Sequence, residues 1–209
     1  MTGEVGASEN RAQRRASRTR NRLMEAGLAM FAKKGIGATT IEDITEQADL
    51  GKGTFYRHFA SKEAVLDALA ERSLAYLIDR LRRTAGAGPG SLIEVLNDLL
   101  EAHASFHKEH PAEFALVFDS RRLPQAQESD ATEQQPLAQY LDELTSRLAP
   151  FTSGQVDKSK VQSLAVAMAG FVSGFYALSA IGMTSQEIEL NLQPLRQAFI
   201  ARTSAFLTG

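Results

Sequence analysis

The feature that most constrains the fold of this chain is the spacing of its apolar residues. They recur every three or four positions from about residue 16 onward, a spacing that lines one face of an α-helix. No stretch shows the alternating pattern that is typical of a half-buried β-strand. The sequence therefore predicts an all-α protein of about nine helices, with breaks at Gly35, at Asp49–Gly51 and over residues 84–90.

Composition indicates a soluble globular protein. The chain has 209 residues, of which 44% are hydrophobic and 23% are charged, enough for one or two compact domains with a sizeable core. It contains no cysteine, which excludes disulfides and thiolate metal sites. We expect neither a secretory leader nor a membrane span, because no long uninterrupted apolar run occurs. The expected location is the cytoplasm.

Charge is distributed unevenly along the chain. Residues 1–62 carry 11 Lys+Arg against 7 Asp+Glu, whereas the remainder carries 12 against 18. Such a split favours a polyanionic partner for the basic part, although a solvated basic tail would explain it equally well. With the helix pattern, it predicts three parts: a flexible basic arm over 1–15, a helix-turn-helix domain over 16–62, and a larger helical domain over 63–209.

A helix-turn-helix is predicted between Thr40 and Phe59. Thr39 and Thr40 offer N-cap hydroxyls to the first helix, with Glu42 and Asp43 three residues after them in capping-box register. Leu50 fills the turn, and small Ala48 sits where the two helices cross. Phe55 and Phe59 stand at i, i+4 and anchor the short second helix to the core. Its opposite face then carries the hydrogen-bonding groups that suit the major groove of DNA: Lys52, Thr54, Tyr56, Arg57 and His58.

The stretch TTIEDITEQADLGKGTFYRHFASKEAVLDAL resembles the signature of the TetR family of regulators. The match rests on an Ala-x-Leu turn, on Lys-Gly-Thr-Phe-Tyr-Arg-His-Phe and on Ser-Lys-Glu, and it extends over about residues 18–70. Two positions depart from the family pattern: Asp49 replaces the usual glycine of the turn, and Gly51 replaces the usual serine. Aspartate tolerates the left-handed conformation and glycine is an acceptable N-cap, so we expect the turn to survive both changes.

The resemblance implies roles for individual residues. Lys52, Gly53 and Tyr56 would meet base edges or the adjacent phosphates. Phosphate oxygens would be bound by Thr40, Thr54, His58 and Lys62. Arg57 is a candidate base reader or a backbone contact, and the arginines of the arm would follow the phosphates or enter the minor groove.

The resemblance also implies that residues 63–209 bind an effector and form a homodimer through the last two helices. Side chains that could line an effector pocket are apolar or aromatic, with His103 as the best polar anchor; each could equally be ordinary core. The candidates are Leu96, Leu99, His103, Phe106, Phe114, Phe118, Tyr140, Met168, Phe171 and Phe175.

His103, His107 and His110 form a local cluster that could suggest a metal site. Pocket or surface histidines are the favoured interpretation, so no metal site and no cofactor are predicted. The chain lacks a P-loop, a dinucleotide-binding glycine pattern and a Gly-x-Ser-x-Gly motif. We therefore do not expect an enzyme.

The function predicted from the sequence is a DNA-binding transcriptional repressor that leaves a palindromic operator when it binds a small, largely apolar effector. Two alternatives remain open at this point. One is a DNA-binding protein that is regulated by a protein partner and has no effector; the other is a His/Glu metal hydrolase.

Overall fold

The structure, a computed structural model, describes residues 3–83, 90–118, 135–151, 158–176, 178 and 182–208. These residues form nine α-helices and no strand, which confirms the predicted all-α class. The helices are α1 (Gly3–Lys34), α2 (Ile41–Gln47), α3 (Lys52–Tyr56), α4 (Lys62–Arg83), α5 (Leu92–Glu109), α6 (Pro111–Phe118), α7 (Gln135–Leu148), α8 (Lys158–Tyr176) and α9 (Ser185–Thr208). A short 3₁₀ turn, Ala149–Phe151, follows α7.

Two compact units divide the chain, Met1–Ala70 and Glu71–Gly209. The sequence-based boundary after residue 62 stays a prediction. Within the described part of the chain, no helix is both long and apolar enough to cross a membrane.

The predicted start of the first helix, at about Ala16, is wrong: α1 begins at Gly3. Hydrophobic periodicity missed this segment because it has few large apolar residues. Its Glu, Arg, Gln and Ala residues nevertheless have good intrinsic helix propensity. The arginines from Arg11 to Arg18 are exposed on this helical extension. That residues 1–15 form a flexible arm stays a prediction.

The helix ends of the first unit follow from local chemistry. Gly35 has a φ of 79°, the left-handed conformation that commonly ends a helix. Thr40 and Asp43 form a reciprocal capping box at the start of α2, and the Ser61 hydroxyl accepts a hydrogen bond from the Ala64 amide at the start of α4. These caps satisfy amides that the first turns of α2 and α4 would otherwise leave unpaired.

The second unit is a helical bundle around one apolar core. Leu96, Leu99 and Phe106 of α5 pack in the same cluster as residues of α7, α8 and α9. Glu143 of α7 receives hydrogen bonds from Arg82 and Arg147, and Arg147 also donates to the carbonyl of Leu81. Burial alone would raise the pKa of Glu143, but the two guanidinium groups outweigh it and lower the pKa.

Among the glycines of the first unit whose surroundings the structure describes, only Gly27 of α1 lies against a neighbouring helix. A Cβ placed there would lie 2.7 Å from Cγ1 of Val65 in α4. Val65 is fully buried and its branched side chain has little rotamer freedom in a helix. The Val65 side chain therefore cannot move away from an added Cβ without strain.

We expect Gly27→Ala to lower the free energy of unfolding by about 1–3 kcal/mol, because overpacking outweighs the better helix propensity of alanine. Gly53→Ala is the matched control, since nothing lies within 4 Å of its added Cβ. Urea denaturation measures both variants. A G27A protein as stable as the G53A protein would contradict the close approach.

Candidate nucleic-acid interface and bundle core

The second helix of the helix-turn-helix, α3, is held by two aromatic anchors. Phe55 and Phe59 are both buried, with ring centroids 6.0 Å apart. The guanidinium of Arg20 in α1 lies over the Phe59 ring, 4.2 Å from its centroid, and donates a hydrogen bond to the carbonyl of His58. A five-residue helix is too short to be stable alone, so these contacts are what place α3.

The turn before α3 is built as the sequence predicted. Asp49 adopts a φ of 49°, the left-handed conformation expected of it, and Gly51 is the N-cap without a side-chain hydrogen bond. Arg22 of α1 donates to the carbonyl of Ala48 at 2.6 Å, which satisfies an acceptor at the end of α2. Leu50, expected to fill the turn, is only half-buried.

Four of the predicted contact residues in and just after α3 are exposed: Lys52, Gly53, Tyr56 and Arg57. Tyr56 is 58% exposed and its ring meets Phe55 edge to face, so the hydroxyl end is free to face solvent while the ring is supported. Arg57 is exposed and donates to the Thr54 hydroxyl at 3.0 Å. Gly53 is exposed, and no atom lies within 4 Å of where a Cβ would stand. His58 and Thr54 are half-buried.

Lys34 at the end of α1 and Lys52 at the start of α3 are each paired with an acidic residue of α2. The Lys52 ammonium, at the start of α3, is paired with the Glu42 carboxylate of α2. The Lys34 ammonium lies 2.5 Å from the Asp43 carboxylate. That hydrogen bond, together with the backbone amide of Thr40, holds the pKa of Asp43 at about 2. The sequence did not predict either ion pair, because the partners are nine or ten residues apart and lie on different helices.

Lys62 has a role that the sequence did not suggest. Its ammonium donates to the carbonyls of Ile36, Gly37 and Thr39 at 2.8–3.2 Å. An ammonium has three N–H donors, so all three are used to hold the loop between α1 and α2. This geometry gives Lys62 a structural role; that Lys62 contacts a phosphate stays a prediction.

The bundle core brings together the residues that were predicted to line an effector pocket. Leu96, Leu99, Phe106, Phe114, Tyr140 and Met168 belong to one buried cluster, and Phe118 and Phe171 pack against it half-buried. Phe171 also stacks on Phe199 of α9, with centroids 4.8 Å apart. The side chain of Phe175 lies outside the described residues. That these residues line a pocket stays a prediction.

His103 is fully buried and is paired with Tyr140. Its Nδ1 lies 2.6 Å from the carbonyl of Leu99, and its Nε2 lies 2.7 Å from the Tyr140 hydroxyl. A carbonyl only accepts, so Nδ1 carries the proton and Nε2 accepts from the tyrosine. Burial lowers the pKa of His103 to about 4 and raises that of Tyr140, so both are neutral at pH 7.

The histidine cluster does not converge on one point. Both ring nitrogens of His103 are engaged in the core, the His107 ring packs edge to face on Phe114, and the His110 ring packs on Tyr76 and Phe106. Among the residues that the structure describes, no group of three potential metal ligands is found.

Comparison with known proteins identifies relatives over about half of this chain. The family model described as "Bacterial regulatory proteins, tetR family" matches residues 23–69. The HTH-type transcriptional regulator YerO of Bacillus subtilis is 31% identical over 113 residues, which are 52% of this chain and 38% of YerO. The HTH-type transcriptional repressor KstR2 of Mycobacterium tuberculosis is 36% identical over 100 residues, 48% of this chain and 50% of KstR2. The matches thus span half or less of these relatives.

The fold of most of this chain also has solved counterparts. The fatty acid degradation regulator FadR of Bacillus halodurans superposes with a TM-score of 0.68 over 87% of this chain and 94% of its own, at 18% identity. At that identity the likeness shows the fold alone. These relatives and counterparts are transcriptional regulators and not enzymes, as the sequence predicted for this chain.

The geometry of Lys62 predicts an effect on stability and not on DNA affinity. We expect Lys62→Met to lower the free energy of unfolding by about 1–3 kcal/mol, because three carbonyls lose a charged donor. The slope of log affinity against log salt should stay unchanged. If Lys62 binds a phosphate instead, the slope should become shallower by about 0.9. Urea denaturation and DNA titrations over a salt series separate the two outcomes.

Burial of neutral His103 predicts a loss of stability in acid. The folded pKa of about 4 lies below the ordinary 6.5, so the unfolded chain binds the proton first. The contribution is complete above pH 6.5 and is lost as the pH falls from 6.5 to 4, by about 3 kcal/mol in full. His103→Gln removes this titration, so its free energy of unfolding should fall less over that interval. Equal pH dependence in both proteins would show that His103 is not buried as a neutral imidazole.

Proposed function

Since this chain belongs to the TetR family of bacterial regulators, we propose that it is a homodimeric transcriptional repressor that binds a palindromic operator and is released by a small, largely apolar effector. The observation that carries this proposal is the anchoring of α3 by Phe55 and Phe59, which leaves Tyr56 and Arg57 exposed beside Gly53. The proposed site of action is the cytoplasm, where the bacterial chromosome lies.

The chemistry of α3 suits base reading in the major groove. Arg57 has a neutral partner, the Thr54 hydroxyl, so its guanidinium can turn to the two acceptors of a guanine at little electrostatic cost. Gly53 lets the backbone come close to DNA. Thr40, at the N-cap of α2, and His58 are placed to meet phosphates, and Tyr56 can hydrogen-bond to a base or a phosphate.

Two copies of so short a reading helix are needed for useful specificity, because two half-sites on a dyad double the number of base contacts. The last two helices offer a surface for pairing. Val166 of α8 and Leu190 and Leu195 of α9 are at least half exposed. Gly170 and Gly174 have open space where a Cβ would point, so a second helix can approach α8 closely.

The aromatic core around His103 and Tyr140 supports an effector that is mostly apolar. A ligand pocket needs apolar walls with a few placed polar groups, and these two side chains are the polar pair among Leu99, Phe114 and Phe118. We propose that the effector enters here and favours a dimer in which the recognition helices no longer fit successive turns of DNA.

Selection from a pool of random duplexes tests the proposal. We expect the full-length chain to enrich an inverted repeat whose half-sites are centred about 10 base pairs, or a multiple of that, apart. Arg57→Ala should weaken binding to that sequence about tenfold or more, as for a base-reading arginine. The control is Arg83→Ala, the same change in the second unit, which should bind like the wild type.

The effector is tested on the same duplex. The organic-solvent extract of the purified protein should hold a bound molecule, and adding that extract back should weaken the complex. No enriched sequence at any salt concentration would refute the repressor. DNA binding that no extract alters would refute the effector and leave control by a protein partner.

A further inference from the structure

We propose that Glu42 competes with DNA for the Lys52 ammonium, and so limits how much this cation contributes to DNA affinity and to its salt dependence. This inference rests on the proposed function and assigns a new role within the same surface: Glu42 is not among the residues predicted to contact DNA.

The pair joins the two helices of the helix-turn-helix at its exposed edge. Glu42 is the second residue of α2 and Lys52 is the first of α3. Their side chains are 52% and 55% exposed, so about half of each is accessible to an approaching DNA strand. The pKa of Glu42 is lowered and that of Lys52 is raised, in each case chiefly by their mutual hydrogen bond, so both groups are charged throughout the neutral range.

Glu42 and the neighbouring Asp43 make different contacts. Asp43 closes the capping box with Thr40 and also meets Lys34, and its side chain is mostly buried, so it is part of the fold. The Glu42 carboxylate contacts a cation of the next helix. Replacing Glu42 with glutamine therefore removes one charge while the cap of α2 remains.

The direction of the effect follows from charge. When a phosphate approaches Lys52, the neighbouring carboxylate repels it and competes for the same ammonium. A cation that its own protein already neutralises also displaces fewer counterions from DNA, and counterion release sets the salt dependence of affinity. Without the carboxylate, Lys52 acts as a full positive charge toward the backbone.

The test uses the full-length chain and a fluorescein-labelled random-sequence duplex of roughly 30 base pairs, long enough for two half-sites. Fluorescence anisotropy over a potassium chloride series gives the affinity and its slope. Four variants are compared with the wild type: Glu42→Gln, Lys52→Gln, the double variant, and Glu46→Gln. The last makes the same charge change on another exposed position of α2 and controls for net charge.

We expect E42Q to bind about threefold to fivefold more tightly, the upper range for one surface ion pair, with a slope steeper by about 0.9. E46Q should change both quantities less. In the K52Q background, the E42Q substitution should have no more effect than E46Q has in the wild type. Circular dichroism verifies that each variant is folded.

Three results would overturn the inference: E42Q behaving like E46Q, E42Q keeping its effect without Lys52, or E42Q binding more weakly. The last would mean that the carboxylate itself accepts a hydrogen bond, as from a cytosine amino group. A carbon NMR titration of the Glu42 carboxyl, without DNA, should show its pKa rising in K52Q. If the pKa rises but the wild type binds no duplex even at low salt, the proposed function has failed and not the ion pair.

Discussion

The burial of Phe55 and Phe59 is the constraint on which the first unit depends. An isolated helix of five residues is not stable in water. The burial of Phe55 and Phe59 therefore stabilises α3 and fixes its position. Arg20 contributes from α1 by covering the Phe59 ring and by binding the carbonyl of His58. Because one face of α3 is anchored in this way, Tyr56 and Arg57 face outward, whereas His58 is half-buried.

The charge of the helix-turn-helix and its neighbouring helices is more balanced than the count of basic residues suggests. Lys34 and Lys52 each meet an acid of α2, and Lys62 is occupied by three backbone carbonyls. A positive surface that is internally paired binds a polyanion less tightly than the same cations alone would, since each contact with DNA must compete with an existing partner. Arg57, whose partner is a neutral hydroxyl, is under no such competition.

The second unit combines an apolar core with one buried polar pair. The Leu99 carbonyl fixes the tautomer of His103, and this in turn makes the Tyr140 hydroxyl the donor to Nε2. The pair is satisfied within the protein, so it is stable in the absence of any other molecule. A ligand that enters this core would have to offer hydrogen bonds of equal quality or leave the pair intact.

Sequence alone determined the all-α class, the breaks at Gly35 and Asp49–Gly51, the helix-turn-helix and its resemblance to the TetR family, because these depend on local spacing and on residues suited to helix ends and turns. It also placed Phe55, Phe59 and the stripe from Leu96 to Phe106 in the core, since helical periodicity sorts buried from exposed positions. The sequence pattern failed to predict the start of α1, where helix propensity without apolar residues forms the helix.

Only the tertiary structure decided which polar groups meet: Lys62 with the loop before α2, Glu42 with Lys52, and His103 with Tyr140. These partners are ten to 37 residues apart in the sequence, and a long side chain can reach several acceptors, so the packing of the helices alone selects among them.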